Sequence, residues 1–230
     1  MLIKFHPYIR KGWIVLFLLI IGLPVVSWIM NAPFADAVGS SFFTLKLIGQ
    51  ITGIIGAQLF AFALILSARL AFIEKLFGGL DKLYVIHHRV GVIGFSLLAV
   101  HPIILAFRYV SDSLEDAAAF LSPIGNTMPI TFGIASLLLM LALLFLTFYG
   151  SIFSYEKLKI AHQFLGLGFF LGFMHILFIP SSLNSDVVLK VSLVVTGVVG
   201  LLAFSYRTLL GKWLVSKYQY KVTGVKDLGG

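Results

Sequence analysis

Long apolar stretches are the feature that most restricts how this chain can fold. A helix needs about 20 apolar residues to cross a bilayer, and six such stretches occur, at roughly 13–30, 42–66, 84–107, 129–149, 159–179 and 188–208. Only 11% of the residues are charged, whereas soluble globular domains average about 25%. The stretches lack the strict alternation of membrane β-barrel strands. The sequence therefore predicts an all-α fold, a six-span transmembrane helical bundle in contact with membrane lipid.

The basic residues are distributed unevenly between the two ends of the predicted bundle. All but three of the 17 lysines and arginines lie before span one, after span six, or around the loops that follow spans two and four; the exceptions are Lys46, Arg108 and Lys190. Because cytoplasmic loops carry the excess of Lys and Arg, we expect a multi-pass protein of the plasma (inner) membrane with cytoplasmic N- and C-termini. The net charge of +8 follows this topology, so no nucleic-acid partner is expected.

Five of the six histidines lie in two of the predicted spans. Span three contains His87, His88 and His101, and span five contains His162 and His175. Ionisable groups inside membrane helices are costly and usually functional. The chain has no cysteine, which excludes thiolate metal sites and covalently attached haem. Both spans run from the cytoplasm to the exterior, so their first histidines share one depth and their last histidines share another.

Helical geometry selects the partners within span three. The step from His87 to His101 gives about 21 Å of rise and ends about 40° short of four turns, so the two side chains share a face. His88 would point about 140° away from His101, and we interpret it as an interfacial or propionate-contacting residue. The 13-residue step from His162 to His175 would separate their directions on an ideal helix. Either span five is distorted locally, or its two histidines approach two separate ligand planes from different directions around the helix axis.

Glycines accompany these histidines. Gly91 and Gly94 lie on the stripe that joins His87 to His101, and Gly166 follows His162 by four residues. We interpret these glycines as a smooth groove for a flat macrocycle. Four histidines at two depths, paired across two parallel helices, suit two non-covalent b-type haems with two axial imidazoles each. Helix–helix hydrogen bonding, a proton relay and metal transport are the alternatives.

Two segments of the chain resemble a known family. They are LDKLYVIHHRVGVIGFSLLAVHP, from Leu80 to Pro102, and YEKLKIAHQFLGLGFFLGFMH, from Tyr155 to His175. Both resemble the ferric reductase-like transmembrane domain of ferric-chelate reductases, NADPH oxidases and bacterial relatives. In that family the third and fifth helices each supply two haem-ligating histidines. The resemblance thus implies that the ligands are His87, His101, His162 and His175.

The resemblance also implies a domain organisation and an activity. Residues 1–211 would form the six-helix transmembrane domain, and the tail 212–230 would begin an FAD-binding domain, so that FAD and NAD(P)H are held outside this chain. Electrons would pass from cytosolic NAD(P)H through FAD and two haems to an external acceptor, ferric iron chelate or dioxygen. The alternative is a haem-bearing membrane subunit that passes quinol or flavin electrons to a periplasmic partner enzyme.

Basic side chains near the membrane surfaces are candidates for contacts with the anionic haem propionates. Arg69, Arg89 and His88 lie on the inner side, and Arg108 lies on the outer side. Arg108 is also a candidate catalytic residue, which would draw an anionic acceptor to the outer haem. Interfacial snorkelling is the alternative role for each of the arginines.

Overall fold

The computed structural model describes residues 15–148, 155–180 and 186–214, and within them the chain forms helices and no strands. The all-α prediction is thereby confirmed for these residues. In chain order the helices are α1 (Val15–Asn31), α2 (Phe34–Ala37), α3 (Ser41–Ser67), α4 (Ala71–Phe77), α5 (Leu80–Phe107), α6 (Leu114–Phe120), α7 (Met128–Phe148), α8 (Tyr155–Gln163), α9 (Leu165–Phe178), α10 (Val187–Phe204) and α11 (Gly211–Leu214).

Five of these segments are long and apolar enough to cross a membrane. They are α3, α5, α7, the α8–α9 pair and α10 with its continuation to Thr208. The first predicted span corresponds to α1, whose described part of 17 residues is shorter. Residues 1–14, where that span was predicted to begin, and 215–230, which hold most of the predicted cytoplasmic tail, lie outside the described residues. Predicted spans two to six are therefore confirmed as helices of sufficient length, and span one stays a prediction.

A π-helical turn interrupts α1 at Leu18–Gly22, just before Pro24. Proline has no N–H to donate to the carbonyl four residues earlier. In this wider turn the Leu23 N–H instead donates to the carbonyl of Leu18, five residues back. The helix accommodates the proline in this way and continues to Asn31.

Helix α3 forms the centre of the bundle. About two thirds (67%) of its apolar segment is buried inside the bundle, against 11% for that of α5. Helices α5 and α10 pack along it. The backbones of α3 and α5 come close where Gly56 meets Gly94: a Cβ added at Gly94 would lie 3.2 Å from the Gly56 carbonyl oxygen. Such an approach needs residues without side chains.

Two seven-residue helices, α4 and α6, lie in loops for which no helix was predicted. Helix α4 buries Ile73 and Phe77 and ends at Gly78, whose left-handed φ of 78° suits glycine. Helix α6 begins after Ser113, whose hydroxyl accepts hydrogen bonds from the backbone N–H groups of Glu115 and Asp116. That hydroxyl satisfies donors that the first turn of a helix cannot pair internally.

Span five is distorted between its two histidines. Helix α8 ends at Gln163 and α9 begins at Leu165. At the junction the Phe164 N–H lies 3.1 Å from the Ala161 carbonyl oxygen, and the Leu167 N–H lies 2.9 Å from that of Phe164. These are three-residue bonds, which wind the chain more tightly than an α-helix does. Of the two alternatives for span five, local distortion is therefore the one observed.

Candidate metal centre

The structure brings four of the six histidines together as two pairs. The ring centroids of His87 and His162 lie 6.2 Å apart, with an angle of 75° between the ring planes. Those of His101 and His175 lie 6.5 Å apart, at 69°. Each pair joins α5 to span five, one toward the N-terminal end of α5, which was predicted to lie at the inner surface, and one toward its C-terminal end.

Backbone carbonyls of neighbouring helices orient three of these rings. The Nδ1 atom of His87 lies 2.9 Å from the Ala63 carbonyl oxygen, and that of His101 lies 2.6 Å from the Gly49 carbonyl oxygen, also on α3. The Nδ1 atom of His175 lies 2.8 Å from the carbonyl oxygen of Pro129, on α7. A carbonyl can only accept, so each Nδ1 carries the hydrogen and each Nε2 keeps a free lone pair.

The separation within each pair fits one metal ion between two imidazoles. A metal–nitrogen bond to histidine is about 2.0 Å long, and ring bonds of about 1.33 Å put the ring centre roughly 1.1 Å behind the nitrogen. Two rings on opposite sides of one ion would then have centroids about 6.2 Å apart, close to both observed values. Within the described residues no three metal-ligating side chains form a group. Two axial ligands per site suit a metal whose remaining positions are filled by a macrocycle.

A known family model covers most of the segment that holds the paired histidines. The family model described as "Ferric reductase like transmembrane component" matches residues 52–173, more than half of the 230 residues. The chain belongs to the ferric reductase-like transmembrane family. Membership in this family of membrane oxidoreductases confirms the resemblance drawn from the sequence. The matched segment includes His87, His101 and His162 and ends two residues before His175. No curated protein is significantly similar to the chain.

Two of the predicted groove glycines lie in helix contacts of this ferric reductase-like domain. Gly94 is buried against α3, and a Cβ on it would lie 3.0 Å from the backbone nitrogen of Phe60. Gly166 faces α10, where an added Cβ would overlap the ring of Phe204. Both glycines therefore serve close helix packing, and their role in a groove for a macrocycle stays a prediction. At Gly91 an added Cβ would meet only the Ala63 methyl, at 3.9 Å.

Sequence reasoning missed the residues that surround the ligand rings. The carbonyls of Ala63, Gly49 and Pro129 hold the rings, and Gly53 and Gly133 leave space for them. Backbone carbonyls carry no sequence signal. The run Gly49-x-x-x-Gly53-x-x-Gly56 was the available sign that α3 receives a neighbour closely.

The predicted inner-side basic residues take two different arrangements. His88 and Arg89 are exposed on α5. Arg69 joins α3 to α4 with a φ of 53°, and its guanidinium lies 4.7 Å from the centroid of the Tyr84 ring. A left-handed backbone is uncommon for a residue with a side chain. Arg69 thus combines a left-handed backbone with a cation–π contact to Tyr84.

Arg108 lies in an aromatic cluster at the outer end. Its guanidinium carbon is 4.3 Å from the Phe42 ring centroid and 5.3 Å from that of Tyr109. Tyr109 in turn contacts Phe120 of α6, with ring centroids 5.5 Å apart. Within the described part of the chain, the buried Nε of Arg108 has no hydrogen-bond partner. The guanidinium is thus packed against two aromatic rings at the C-terminal end of α5.

Proposed function

We propose that this chain is the membrane part of a di-haem oxidoreductase. It would carry electrons from cytosolic NAD(P)H, through FAD on a dehydrogenase domain or subunit, to a ferric chelate or dioxygen outside the cell. The observation that carries the proposal is the presence of two histidine pairs with centroid separations of 6.2 and 6.5 Å. Each separation matches a single iron with two axial imidazoles, about 6.2 Å.

The inner site would use His87 and His162, and the outer site His101 and His175. Bound b-type haem would supply reversible one-electron chemistry at each level. The protein contributes neutral imidazoles, which bind iron without burying an additional charge. For His87, His101 and His175, the Nδ1–H bonds to carbonyls fix the ring orientation and raise the basicity of the coordinating nitrogen.

Charged residues support an orientation and two secondary roles. We propose a plasma-membrane location with cytoplasmic termini, because the basic residues concentrate at the inner end. Arg69, held over Tyr84, would face the inner haem propionates. Arg108, held over Phe42, would attract an anionic acceptor or an outer propionate.

The ligand assignment is tested by counting haems. Protein purified from haem-replete cells is examined by its reduced-minus-oxidised visible spectrum and by pyridine haemochromogen assay. We expect two b-type haems per chain, with loss of haem in His87→Ala, His101→Ala, His162→Ala and His175→Ala. The matched control is His88→Ala, which removes an exposed neighbouring histidine and should retain both haems. A folded wild-type protein without haem would contradict the proposal.

The direction of electron flow is tested in sealed vesicles. Reconstituted protein is given a trapped reductant inside and an impermeant ferric chelate outside. We expect chelate reduction by the wild type and its loss in His101→Ala. Dioxygen consumption with the chelate omitted would identify the second acceptor. Reduction of the haems by quinol, and not by a flavin dehydrogenase, would favour the alternative of a membrane subunit for a periplasmic enzyme.

A further inference from the structure

The outer histidine of α5 lies against a glycine of α3. His101 Nδ1 is 2.6 Å from the Gly49 carbonyl oxygen, and Gly53 is the residue four positions further along α3. A Cβ on Gly53 would lie 2.7 Å from that same Nδ1 and 2.8 Å from Cε1. Real Cβ contacts are essentially never this short. The ring therefore occupies the volume in which any other residue would carry a side chain.

Helix geometry explains this spacing. A helical carbonyl points toward the N–H four residues later. A side chain in a helix leans back over the preceding turn, so the side chain of residue i+4 covers the carbonyl of residue i. An external donor can reach that carbonyl most readily when residue i+4 is glycine.

The outer histidine of span five repeats the arrangement on a different helix. His175 Nδ1 lies 2.8 Å from the Pro129 carbonyl oxygen, and Gly133 is four residues after Pro129. A Cβ on Gly133 would lie 3.0 Å from His175 Nδ1 and 3.2 Å from its Cγ. Two helices without sequence similarity at this point thus use the same carbonyl-plus-glycine unit.

The inner level is constructed differently. His87 bonds to the Ala63 carbonyl, and the residue four positions later is Ser67, whose hydroxyl turns back to the Leu64 carbonyl at 2.6 Å. A small side chain therefore covers this acceptor. The described residues contain no carbonyl in hydrogen-bond contact with His162. The outer pair has two glycine-exposed acceptors and the inner pair has none.

We infer that Gly53 and Gly133 are positioning residues of the outer haem site, which they serve by exposing the carbonyls that orient His101 and His175. This inference rests on the proposed function. Hydrogen bonds to the outer nitrogen of a metal-bound histidine make it a stronger donor, which favours the ferric state. The two glycines would thus strengthen outer haem binding and lower the outer potential.

The test combines haem counting with redox titration of Gly53→Ala and Gly133→Ala. Gly53→Ala, with the shorter contact, should lose the outer haem and retain one haem per chain. Gly133→Ala should retain two haems and raise the outer potential by about 59 mV, which is a tenfold loss of ferric preference for a one-electron couple. The His101→Ala protein identifies which potential belongs to the inner haem.

Gly56→Ala is the matched control on α3. Its Cβ would lie 3.0 Å from Leu98 and 3.1 Å from the Gly94 carbonyl, and its three nearest atoms include none of a histidine ring. It should not remove the outer haem alone. The inference is wrong if both test variants keep two haems at unchanged potentials, or if Gly56→Ala reproduces the outer-only effect. If Gly53→Ala does not fold, the haem count and outer potential of Gly133→Ala alone test the inference. Wild-type protein without haem would overturn the proposed function as well.

Discussion

The crossing of α3 and α5 at Gly94 provides a prediction with a built-in control one turn away. We expect Gly94→Ala to destabilise the bundle and Gly91→Ala to leave it intact. An added Cβ at position 94 would lie 3.0 Å from the Phe60 backbone nitrogen. At position 91 the closest atom would be 3.9 Å away. Both substitutions replace glycine by alanine on the same helix, so their difference isolates the steric effect.

The size of the effect follows from these distances. To bring the 3.0 Å contact to an ordinary 3.4 Å, α5 must move away from α3 by the difference, about 0.4 Å. Forcing additional atoms into a packed interior costs about 1–3 kcal/mol. Alanine gains about 0.5–1 kcal/mol over glycine within a helix, and this gain is common to both variants. The unfolding free energies of the two variants should therefore differ by about 1–3 kcal/mol.

The same displacement should affect the two histidine levels unequally. A shift of about 0.4 Å would lengthen the His87–Ala63 bond from 2.9 Å to about 3.3 Å, beyond the usual limit of roughly 3.2 Å. The His101–Gly49 bond would lengthen from 2.6 Å to about 3.0 Å and would persist. Gly94→Ala should therefore weaken the inner site first, with haem affinity falling about tenfold or more.

Unfolding in mixed detergent micelles gives the free energies, and haem retention on dilution gives the affinities. Equal unfolding free energies for Gly91→Ala and Gly94→Ala would refute the steric argument. Loss of the outer haem before the inner one in Gly94→Ala would refute the assumption that α5 moves as a rigid body.

Three further predictions concern charged groups near the ends of the bundle. Burial raises the pKa of the Asp186 carboxyl, but hydrogen bonds, chiefly from the Leu189 N–H and the Ser27 hydroxyl, lower it more, so the net pKa lies below its ordinary value. The ionised Asp186 carboxylate therefore stabilises the folded protein above about pH 4, and this stabilisation is lost as the pH falls through the lowered pKa. Asp186→Asn should therefore lose less Tm on acidification than the wild type. Arg69→Gly should be about 1 kcal/mol more stable than Arg69→Ala in micelle unfolding, because only glycine relieves the left-handed backbone; equal stabilities would contradict this. Arg108→Gln should slow reduction of an anionic ferric chelate about tenfold at low salt, with a smaller effect at high salt and unchanged dioxygen consumption; a salt-independent effect would exclude electrostatic attraction.

Sequence reasoning could reach the histidine pairs because their positions depend on intervals within single helices. The 14-residue interval between His87 and His101 fixes depth and direction by helical arithmetic. The break at Phe164 was one of two outcomes expected from the 13-residue interval in span five. The short helices α4 and α6 were missed because each lies in a loop and has only seven residues.

The roles of the glycines could not be predicted in the same way. Whether Gly94 faces a groove or another helix depends on where α3 lies, and a single glycine stripe permits both. The acceptors for the histidine rings are backbone carbonyls, which every residue carries. Only the packing of α3 and α7 against the histidine helices determines which carbonyls are reached.

The crossing of α3 and α5 also has a mechanical consequence. Gly56 lies seven residues from both Gly49 and Ala63, and Gly94 lies seven residues from both His87 and His101. The Gly56–Gly94 contact therefore lies midway between the two histidine levels on both helices. A rocking motion of α5 about this point would lengthen the hydrogen bond at one end while shortening it at the other. The two histidine pairs would then respond in opposite senses to a single tilt of α5, although they lie 14 residues apart along it.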